Sequence, residues 1–566
     1  MEKTEKLDEN ITNISKEVGI VMSIANTLRG PYKADKYKDV IIPMLIIRRI
    51  ECALEKTKND VVAKYKGNPK TPVKILERIS GYRFYNTCEY NLLELTKDPL
   101  NAVSNFKFYI DSFSVNIQTI LKNLSFQDEI DKMSKNNRLI GVLKKFSALD
   151  LYPDHVSNIK MGYIFEEILR RFSAKAGEAG DHYTPREVVR LLVKLMTAEG
   201  CTDILEDGKT ITVLDMACGT GGMLSTTYDE ITNERYGINP NATVELFGQE
   251  NNPESFAICQ ADMLIKGQNA DHICFADTMK TDCFPNQDMR FVIANPPFGQ
   301  AWGGDDAGDG VEKAVKEEFS KPHSRFVAGL PAKGDMQLLF MQHAIYKMKP
   351  KVGRAAIITN GSPLFSGGTT SGESQIRRYM LEHDLVEAIV ALPGDLFYNT
   401  SISIYVFVLS KNKRVERKNK VQLINATGQK FWHTMKKSLG NKRKEILPEQ
   451  IEAIVSIYKN YDRYVEHPDD ECKVFPTSEF LYKEWTVYQP LQRSGSLSME
   501  NIERLESSDL FNSNSRIFDT ARFEELEEMD PRSAKDEKDY QKLLDGKRFV
   551  ENIIGELKKH SNTQCH

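Results

Sequence analysis

The chain has 566 residues, of which 40% are hydrophobic and 28% charged, the composition of a soluble globular protein with two or three domains. No apolar run is long enough to span a bilayer, and the charged N-terminus lacks the apolar core of a signal peptide, so we expect no membrane association. The formal net charge is −4. Because a protein that holds nucleic acid unaided is usually basic, much of any grip on nucleic acid would come from a partner.

The nine cysteines are scattered along the chain without a Cys-x-x-Cys pair. Structural zinc sites and disulfide frameworks normally show closely spaced cysteines. We therefore expect a reduced, cytoplasmic protein with neither a disulfide framework nor a metal site.

Residues 1–155 read mostly as helix, and we assign them to an N-terminal helical domain. Pro43 is predicted in the first turn of one helix. Arg48 and Arg49 fall off the apolar stripe that follows, which comprises Met44, Ile47, Ile50 and Leu54. This region is either ordinary helical packing or a docking surface for another subunit.

The segment Asp181–Val189 follows a glycine-containing loop and opens a helix that continues to Met196. Thr184 is a plausible N-cap, with Pro185 at the first helical position and Glu187 completing a capping box. The simple interpretation is a well-capped helix. Alternatively, Tyr183 belongs to an exposed loop that covers a ligand.

Residues 210–223 read TITVLDMACGTGGM, a buried-strand pattern that ends at Asp215 and leads into a tight glycine turn. Gly219 and Gly221 would allow the backbone to approach a ligand closely. A nicotinamide enzyme would use such a turn too. An acid on the strand, however, favours a ligand with an ammonium group over a pyrophosphate, since Asp215 repels phosphate.

Two further acids follow predicted strands. Glu250 ends the second strand, where an acid commonly holds ribose hydroxyls, and Asp277 after the third could accept a hydrogen bond from an adenine amine. Each acid alone is more often a solvated loop residue. Three strand-terminal acids in order, followed by Asn-Pro-Pro-Phe, are much harder to explain by chance.

Residues 290–299 read RFVIANPPFG, a short buried strand that stops at Asn295. The Asn295 side-chain oxygen and the Pro296 carbonyl are both acceptors, which suits a planar group with two N–H donors. Phe298 could stack on the ring that carries this group. The alternative is that Asn-Pro-Pro is only a turn, because both residue types favour turns for local reasons.

The segment 300–333 is rich in glycine and charge and lacks apolar periodicity, so we interpret it as a mobile lid. Strands then alternate with helices, including strands predicted at 354–359, 386–392, 403–409 and 421–424. This alternation predicts an α/β domain over residues 156–490 with a mostly parallel sheet. Residues 491–566 are more polar and predict a C-terminal helical tail that packs on its own body or on a partner.

Asp181–Val189, Asp215–Gly222 and Asn295–Phe298, in this order, resemble the modification subunits of type I restriction-modification systems, which are S-adenosylmethionine-dependent adenine-N6 DNA methyltransferases. The resemblance implies a Rossmann-like methyltransferase core. It also implies that the catalytic residues are Asn295, Pro296 and Phe298, which would hold a flipped-out adenine, and that the cofactor is bound by Tyr183, Thr184, Asp215, Gly219, Gly221, Glu250 and Asp277.

The resemblance further implies partners: DNA, a specificity subunit, a second modification subunit and, as a further candidate, a restriction subunit. Two rival functions stay open. One is methylation of another planar amine or amide, in an RNA base or a protein glutamine. The other is a non-catalytic assembly scaffold, against which the intact acids and Asn295 argue.

Overall fold

The computed structural model describes residues 15–33, 36–173, 184–398, 400–481, 495–508, 510–511, 519–561 and 564–565. The chain divides into two compact units, Met1–Lys483 and Glu484–His566. No helix within the described ranges is long and apolar enough to cross a membrane. The division at residue 155 between a helical and a catalytic domain stays a prediction.

Eight helices form the described N-terminal part of the first unit: α1 (Ser15–Leu28), α2 (Lys38–Leu54), α3 (Lys58–Gly67), α4 (Val73–Ser80), α5 (Ala102–Asp111), α6 (Val115–Asn123), α7 (Phe126–Lys135) and α8 (Leu139–Ser147). Their apolar side chains join one core cluster with residues of the adjoining sheet. The predicted helical character of this region is therefore confirmed.

Helix α2 corrects one prediction, the position of Pro43, and shows where the two off-stripe arginines lie. Pro43 lies inside it rather than in its first turn, because buried Val40, Ile41 and Ile42 extend the helix upstream. Arg49 does not point to solvent and is only 1% exposed. Its Nη1 donates to the carbonyl oxygens of Leu151 at 2.6 Å and Val156 at 2.8 Å. Arg48 is likewise buried and donates to Leu149, so both arginines tie α2 to the end of the helical region.

The core of the first unit is a nine-stranded sheet. Its strands are β1 (Thr210–Asp215), β2 (Thr243–Glu250), β3 (Ile273–Phe275), β4 (Phe291–Ala294), β5 (Arg354–Thr359), β6 (Val386–Leu392), β7 (Ile404–Ser410), β8 (Lys420–Asn425) and β11 (Cys472–Pro476). Between β8 and β11 lies a separate two-stranded sheet, β9 (His433–Leu439) and β10 (Lys442–Glu445).

The strand order is β11-β8-β6-β7-β5-β4-β1-β2-β3. β7 is antiparallel to β5 and β6, and β11 is antiparallel to β8, whereas the other pairings are parallel. The remaining seven strands therefore share one direction. Their carboxyl ends meet at one edge of the sheet, which is where ligands bind in open α/β sheets.

The flanking helices of the sheet are α9 (Asn158–Ser173), α10 (Arg186–Thr197), α11 (Gly222–Thr232), α12 (Pro253–Ile265), α13 (Val311–Phe319), α14 (Gln337–Lys347), α15 (Ser362–Phe365), α16 (Gly372–Glu382), α17 (Pro448–Lys459) and α18 (Tyr461–Glu466). The central strands are buried on both faces, as their continuous apolar runs predict.

The segment 300–333, which we interpreted as a mobile lid without apolar periodicity, contains a helix and buried apolar side chains. Helix α13 lies within it, and Val311 and Val315 are buried one turn apart. Trp302 and Phe326 pack into the same core cluster. The two valines are the only aliphatic side chains larger than alanine in a helix otherwise dominated by Lys and Glu, so the apolar pattern was too sparse to read.

A buried charge cluster, formed by Arg354, Glu387, Arg417 and Tyr458, lies at the edge of the sheet opposite the carboxyl ends. The Arg354 guanidinium pairs with the Glu387 carboxylate, and both side chains are at most 1% exposed. Arg354 also donates to the Tyr458 hydroxyl at 2.8 Å, and Arg417 contacts the same carboxylate from 3.8 Å. The cluster connects β5 and β6 with helix α17.

Cys274 and Cys283 are joined by a disulfide, which contradicts the expectation of a wholly reduced chain. The loop after β3 turns back on itself and brings the two Cα atoms to 6.4 Å. The two cysteines are 9 residues apart and do not form a recognisable Cys motif, so the sequence did not indicate this pair. The other described cysteines of the first unit are free and buried.

The second unit is mostly helical in its described residues: α19 (Met499–Glu506), α20 (Thr520–Glu527) and α21 (Ala534–Lys559), with a short strand pair β12 (Gly495–Ser496) and β13 (Gln564–Cys565). Ile554 of α21 is buried within this unit. A helical tail is therefore present, as predicted.

Candidate active site at the carboxyl edge of the sheet

Four of the predicted site residues follow four neighbouring parallel strands. Asn295 follows β4, Asp215 ends β1, Glu250 ends β2 and Asp277 lies just after β3. The sheet order β4-β1-β2-β3 sets them in a row along one edge. With about 4.8 Å between strands, the row from Asn295 to Asp277 is about 14 Å long, enough for an extended ligand.

The Asn295 side chain is oriented by Thr184. Its Nδ2 donates to the Thr184 Oγ1 at 3.0 Å, and that hydroxyl lies 3.5 Å from the Met223 Sδ. The orientation leaves Asn295 Oδ1 buried, with no hydrogen-bond partner among the residues that the structure describes. A buried amide oxygen without a partner costs free energy, so this atom is set to accept a hydrogen bond from a ligand.

The predicted capping box is wrong. Helix α10 begins at Arg186, its N-cap is Pro185, and no side chain caps it. The Thr184 hydroxyl is instead engaged by Asn295, a partner distant in sequence. Glu187 does not return to the helix start but pairs with the Lys442 ammonium.

Pro296 is buried, and Phe298 is half-buried against the core. Burial of the first proline fixes the corner at which the chain leaves β4, since proline has a restricted φ and no N–H. The partial exposure of Phe298 leaves part of its ring surface accessible. Both placements agree with a rigid corner that presents an aromatic ring.

The glycine turn between β1 and α11 has the backbone that its sequence predicts. Gly219 and Gly221 have φ values of 54° and 80°, in the left-handed region that favours glycine. The Gly219 N–H donates to Glu250 Oε2 at 2.8 Å. A Cβ atom added to Gly221 would lie 2.7 Å from the Cys259 Sγ, so the turn packs too closely for any side chain there.

Asp215 is fully buried. Its Oδ1 accepts a hydrogen bond from Ala217 N at 3.1 Å, and its Oδ2 has no partner among the described residues. Burial, opposed by the bond from Ala217 and assisted by the nearby Glu250, raises the pKa of this carboxyl to about 7. A cationic group beside Oδ2 would therefore be strongly favoured.

Glu250 and Asp277 shape the other half of the row. The Glu250 carboxylate accepts from Gly219, and its Oε1 accepts from Asn251 N at 2.9 Å and Asn252 N at 2.7 Å. Asp277 is half-buried, and its Oδ1 accepts from Met279 N at 2.8 Å. Each carboxylate retains lone pairs beyond these bonds for a ligand.

Tyr183 and the glycine-containing loop before it lie outside the described residues. The structure therefore brings together nine of the ten predicted site residues and leaves one to the sequence alone. No group of three His, Cys, Asp or Glu residues in the described ranges could hold a metal ion.

Sequence reasoning missed two residues that position the loop carrying Asp277. The Gln249 Nε2 donates to the Thr281 carbonyl at 2.7 Å. The Arg325 Nη2 donates to the Met279 carbonyl at 2.7 Å. Gln249 adjoins Glu250 and could have been considered with it, whereas nothing in the sequence connects Arg325 with a loop more than forty residues earlier.

Two family sequence models match the chain. That of N-6 DNA methylase covers residues 157–493, and that of the HsdM N-terminal domain covers residues 19–146. Curated relatives carry related descriptions. The methylase subunit of the type I restriction enzyme MjaIX from Methanocaldococcus jannaschii is 25% identical over 473 residues, which is 80% of this chain and 77% of that protein. The MjaVII methylase subunit from the same organism is 30% identical over 377 residues, 66% of this chain and 58% of that protein.

Two solved structures share the fold. The methyltransferase subunit of a type I restriction-modification system from Streptococcus thermophilus aligns with a TM-score of 0.61 and 21% identity, over 82% of this chain and 96% of that chain. A modification subunit of a putative type I restriction enzyme from Vibrio vulnificus aligns with a TM-score of 0.53 and 17% identity, over 83% and 94%. At these identities the likeness concerns the fold.

Proposed function

The chain belongs to the N-6 DNA methylase family and is an S-adenosylmethionine-dependent, adenine-specific DNA methyltransferase, and we propose that Asn295, Pro296 and Phe298 hold its target adenine. The predicted α/β fold with a Rossmann-like methyltransferase core and the resemblance to type I modification subunits are confirmed. The residue roles and the subunit partners are our proposal.

One observation carries the assignment: two buried acceptor atoms at the ends of adjacent strands, Asn295 Oδ1 and Asp215 Oδ2, have no hydrogen-bond partner within the described part of the chain. The first is neutral and suits an N–H donor. The second atom, Asp215 Oδ2, belongs to a carboxyl whose pKa is raised by burial. A neighbouring cation would stabilise its ionised form, so this atom suits a positively charged ligand. An amine to be methylated and a positively charged methyl donor are such a pair.

In the proposed reaction, Asn295 Oδ1 and the Pro296 carbonyl accept the two hydrogens of the adenine N6 amine, while Phe298 stacks on the ring. These bonds favour a pyramidal nitrogen whose lone pair is available for attack. S-adenosylmethionine supplies the electrophilic methyl group when bound. Thr184 holds the Asn295 amide so that Oδ1 stays aimed at the amine, and catalysis is mainly orientation.

The chain's own groups fit the cofactor along the row of acids. Gly219 and Gly221 provide a turn without side chains, and Asp215 provides a carboxylate for the ammonium group. Glu250 would hold the ribose hydroxyls and Asp277 the adenine amine, each with lone pairs not used by the backbone. Tyr183 stays assigned to the cofactor from its motif. Thr184, predicted beside the cofactor, gains the role of orienting Asn295.

We further propose that the chain acts in the cytoplasm, within a complex. A net charge of −4 is unfavourable for holding DNA alone, so a specificity subunit would supply sequence reading and much of the affinity. A second modification subunit would complete the methylating complex, and a restriction subunit is a further candidate. Residues 1–155 and 491–566, which precede and follow the catalytic domain (residues 156–490) in the sequence, are the proposed docking elements.

The test is transfer of labelled methyl groups by the full chain in its complex to DNA, RNA and protein in parallel. We expect transfer to DNA alone, recovered as N6-methyladenine. Asn295→Ala should lower the rate by a factor on the order of 100 or more, with cofactor affinity retained. Asn412→Ala is the matched control, because Asn412 is exposed and follows the carboxyl end of the antiparallel strand β7, at the edge of the sheet opposite the site. Transfer to RNA or protein, or unchanged methylation in Asn295→Ala, would refute the proposal.

A further inference from the structure

The β9–β10 hairpin and its entry, residues 430–445, form a strongly basic segment that follows the carboxyl end of β8, and we call it the basic hairpin. It carries six Lys or Arg residues and the single acid Glu445, in a chain with net charge −4. The basic residues are Lys430, Lys436, Lys437, Lys442, Arg443 and Lys444. We propose that the basic hairpin binds phosphates of the DNA duplex beside the target adenine. This inference rests on the proposed function and adds a binding surface to it.

The topology sets the basic hairpin on the same edge of the sheet as the target-base residues. It follows the carboxyl end of β8, and β8 is parallel to β6. β6 and β5 are both antiparallel to β7, so β6 runs in the same direction as β5. β5 is in turn parallel to β4. The carboxyl end of β8 therefore faces the same way as that of β4, which Asn295 follows.

The separation along this edge suits a duplex. β8 lies four strands from β4 in the order β8-β6-β7-β5-β4. At about 4.8 Å per strand this is about 19 Å, and half a turn of DNA is about 17 Å. A duplex whose target base enters at Asn295 would bring its backbone to the basic hairpin within about half a turn.

The basic hairpin is anchored to the catalytic region. Lys442 is buried, pairs with Glu187 of α10 and donates to the Leu396 carbonyl at 3.2 Å. The backbone N–H groups of Arg443 and Lys444 donate to the Asp395 carbonyl at 2.9 and 3.1 Å. Lys442 thus holds the basic hairpin in place. Because neighbouring side chains of a strand point to opposite faces, Arg443 is exposed where Lys442 is buried.

Two cations remain directed to solvent. Lys436 and Arg443 are exposed, and neither forms an ion pair with any residue that the structure describes. The other described cations of the segment are engaged: Lys430 pairs with Glu471, and Lys444 lies 4.2 Å from the centre of the Trp432 ring. Exposed, unpaired cations on an anchored strand pair are what a phosphate backbone requires.

An acidic protein surface is the competing occupant. DNA is favoured because the carboxyl edge must face the duplex during base flipping, so a partner protein at the same place would compete with the substrate. DNA also presents one negative charge per about 1.7 Å of helix axis, which supplies phosphates at the hairpin whatever the sequence. The basic hairpin would then position DNA without reading it.

The test compares Lys436→Ala/Arg443→Ala with Lys349→Ala/Lys351→Ala in the full chain within its methylating complex. The control pair is exposed, removes the same charge and precedes β5, at the opposite edge of the sheet. Methyl transfer to unmethylated genomic DNA gives the Michaelis constant for DNA and the turnover number across a salt series. Calorimetry gives S-adenosylmethionine affinity.

We expect the hairpin variant to raise the Michaelis constant for DNA on the order of tenfold, with turnover at saturation and cofactor affinity unchanged. The slope of log affinity against log salt should fall by about 1.8, or about 0.9 for each lost phosphate contact. The control should match the wild type. An unchanged salt slope overturns the inference. Loss of a protein subunit from the complex in the hairpin variant, with the salt slope unchanged, would assign the basic hairpin to contact with that subunit.

Failure of the proposed function is distinguishable. If the wild-type complex methylates no DNA, the proposed function itself fails, and with it the inference. If the wild type methylates DNA and the hairpin variant behaves like the control, only the inference fails.

Discussion

The buried carboxyl of Asp215 should make the cofactor-free protein less stable at neutral pH than at acidic pH. Its pKa is raised from 3.8 to about 7 in the folded protein. Between these values the folded chain keeps a proton that the unfolded chain has lost, so stability falls as pH rises through the window from about 4 to about 7. A shift of about 3 units at 1.36 kcal/mol each corresponds to about 4 kcal/mol.

Asp215→Asn removes the titrating group and keeps the shape. An amide in that position leaves one donor unsatisfied, a cost of about 1–3 kcal/mol that does not depend on pH. Relative to wild type, the variant should therefore gain about 4 kcal/mol in unfolding free energy between pH 4 and pH 8. Cofactor affinity should fall, because the ammonium group loses its carboxylate.

Scanning calorimetry of both proteins without cofactor at several pH values tests this reasoning. At about 2.1 cal/mol/K per residue, cooperative unfolding of the unit Met1–Lys483 has an entropy of about 1 kcal/mol/K. The difference in Tm between variant and wild type should thus widen by about 4 °C from pH 4 to pH 8. A difference that stays constant over this range would mean that Asp215 titrates near its ordinary value, and the argument from burial would be refuted.

Three further outcomes follow from the site and the core. Thr184→Val should lower turnover on the order of tenfold or more in single-turnover assays, whereas Thr184→Ser, which keeps the hydroxyl that Asn295 contacts, should restore it. Gly221→Ala should lower the free energy of unfolding by at least about 2 kcal/mol, because Gly221 has a positive φ and an added Cβ would contact Cys259. The control Gly19→Ala, in open space on α1, should leave the free energy of unfolding unchanged or raise it. Denaturant unfolding measures both. Glu387→Ala should cost about 3–5 kcal/mol, because it leaves buried arginines without their carboxylate.

The strands could be predicted because their signal is local. β5 and β6 begin and end where the sequence predicts, at residues 354–359 and 386–392. Each contains a short apolar run, 355–358 in β5 and 388–392 in β6, the pattern of a strand covered on two faces. The sequence also predicted that the acids follow β1, β2 and β3, and the strand order in the sheet sets them in a row along one edge.

The errors arose where a partner distant in sequence decides the local structure. Thr184 has the residue type of an N-cap, yet its hydroxyl serves Asn295, which is 111 residues away. Arg49 falls off the apolar stripe, yet its guanidinium is buried on carbonyl oxygens about 100 residues later. Local propensity carries no information about such contacts, so it assigned Thr184 to a helix cap and gave no indication of where Arg49 lies.

The buried charge cluster at the far edge of the sheet constrains how this chain can diverge. Arg354 and Arg417 share the Glu387 carboxylate, and all three side chains are at most 1% exposed, so losing the carboxylate leaves two buried arginines with less compensation of their charge. Substitutions there are tolerated only in concert, with charges lost or exchanged together or with all members replaced by apolar groups. In homologous sequences, positions 354, 387 and 417 should therefore change together, whereas the exposed residues around them should vary independently.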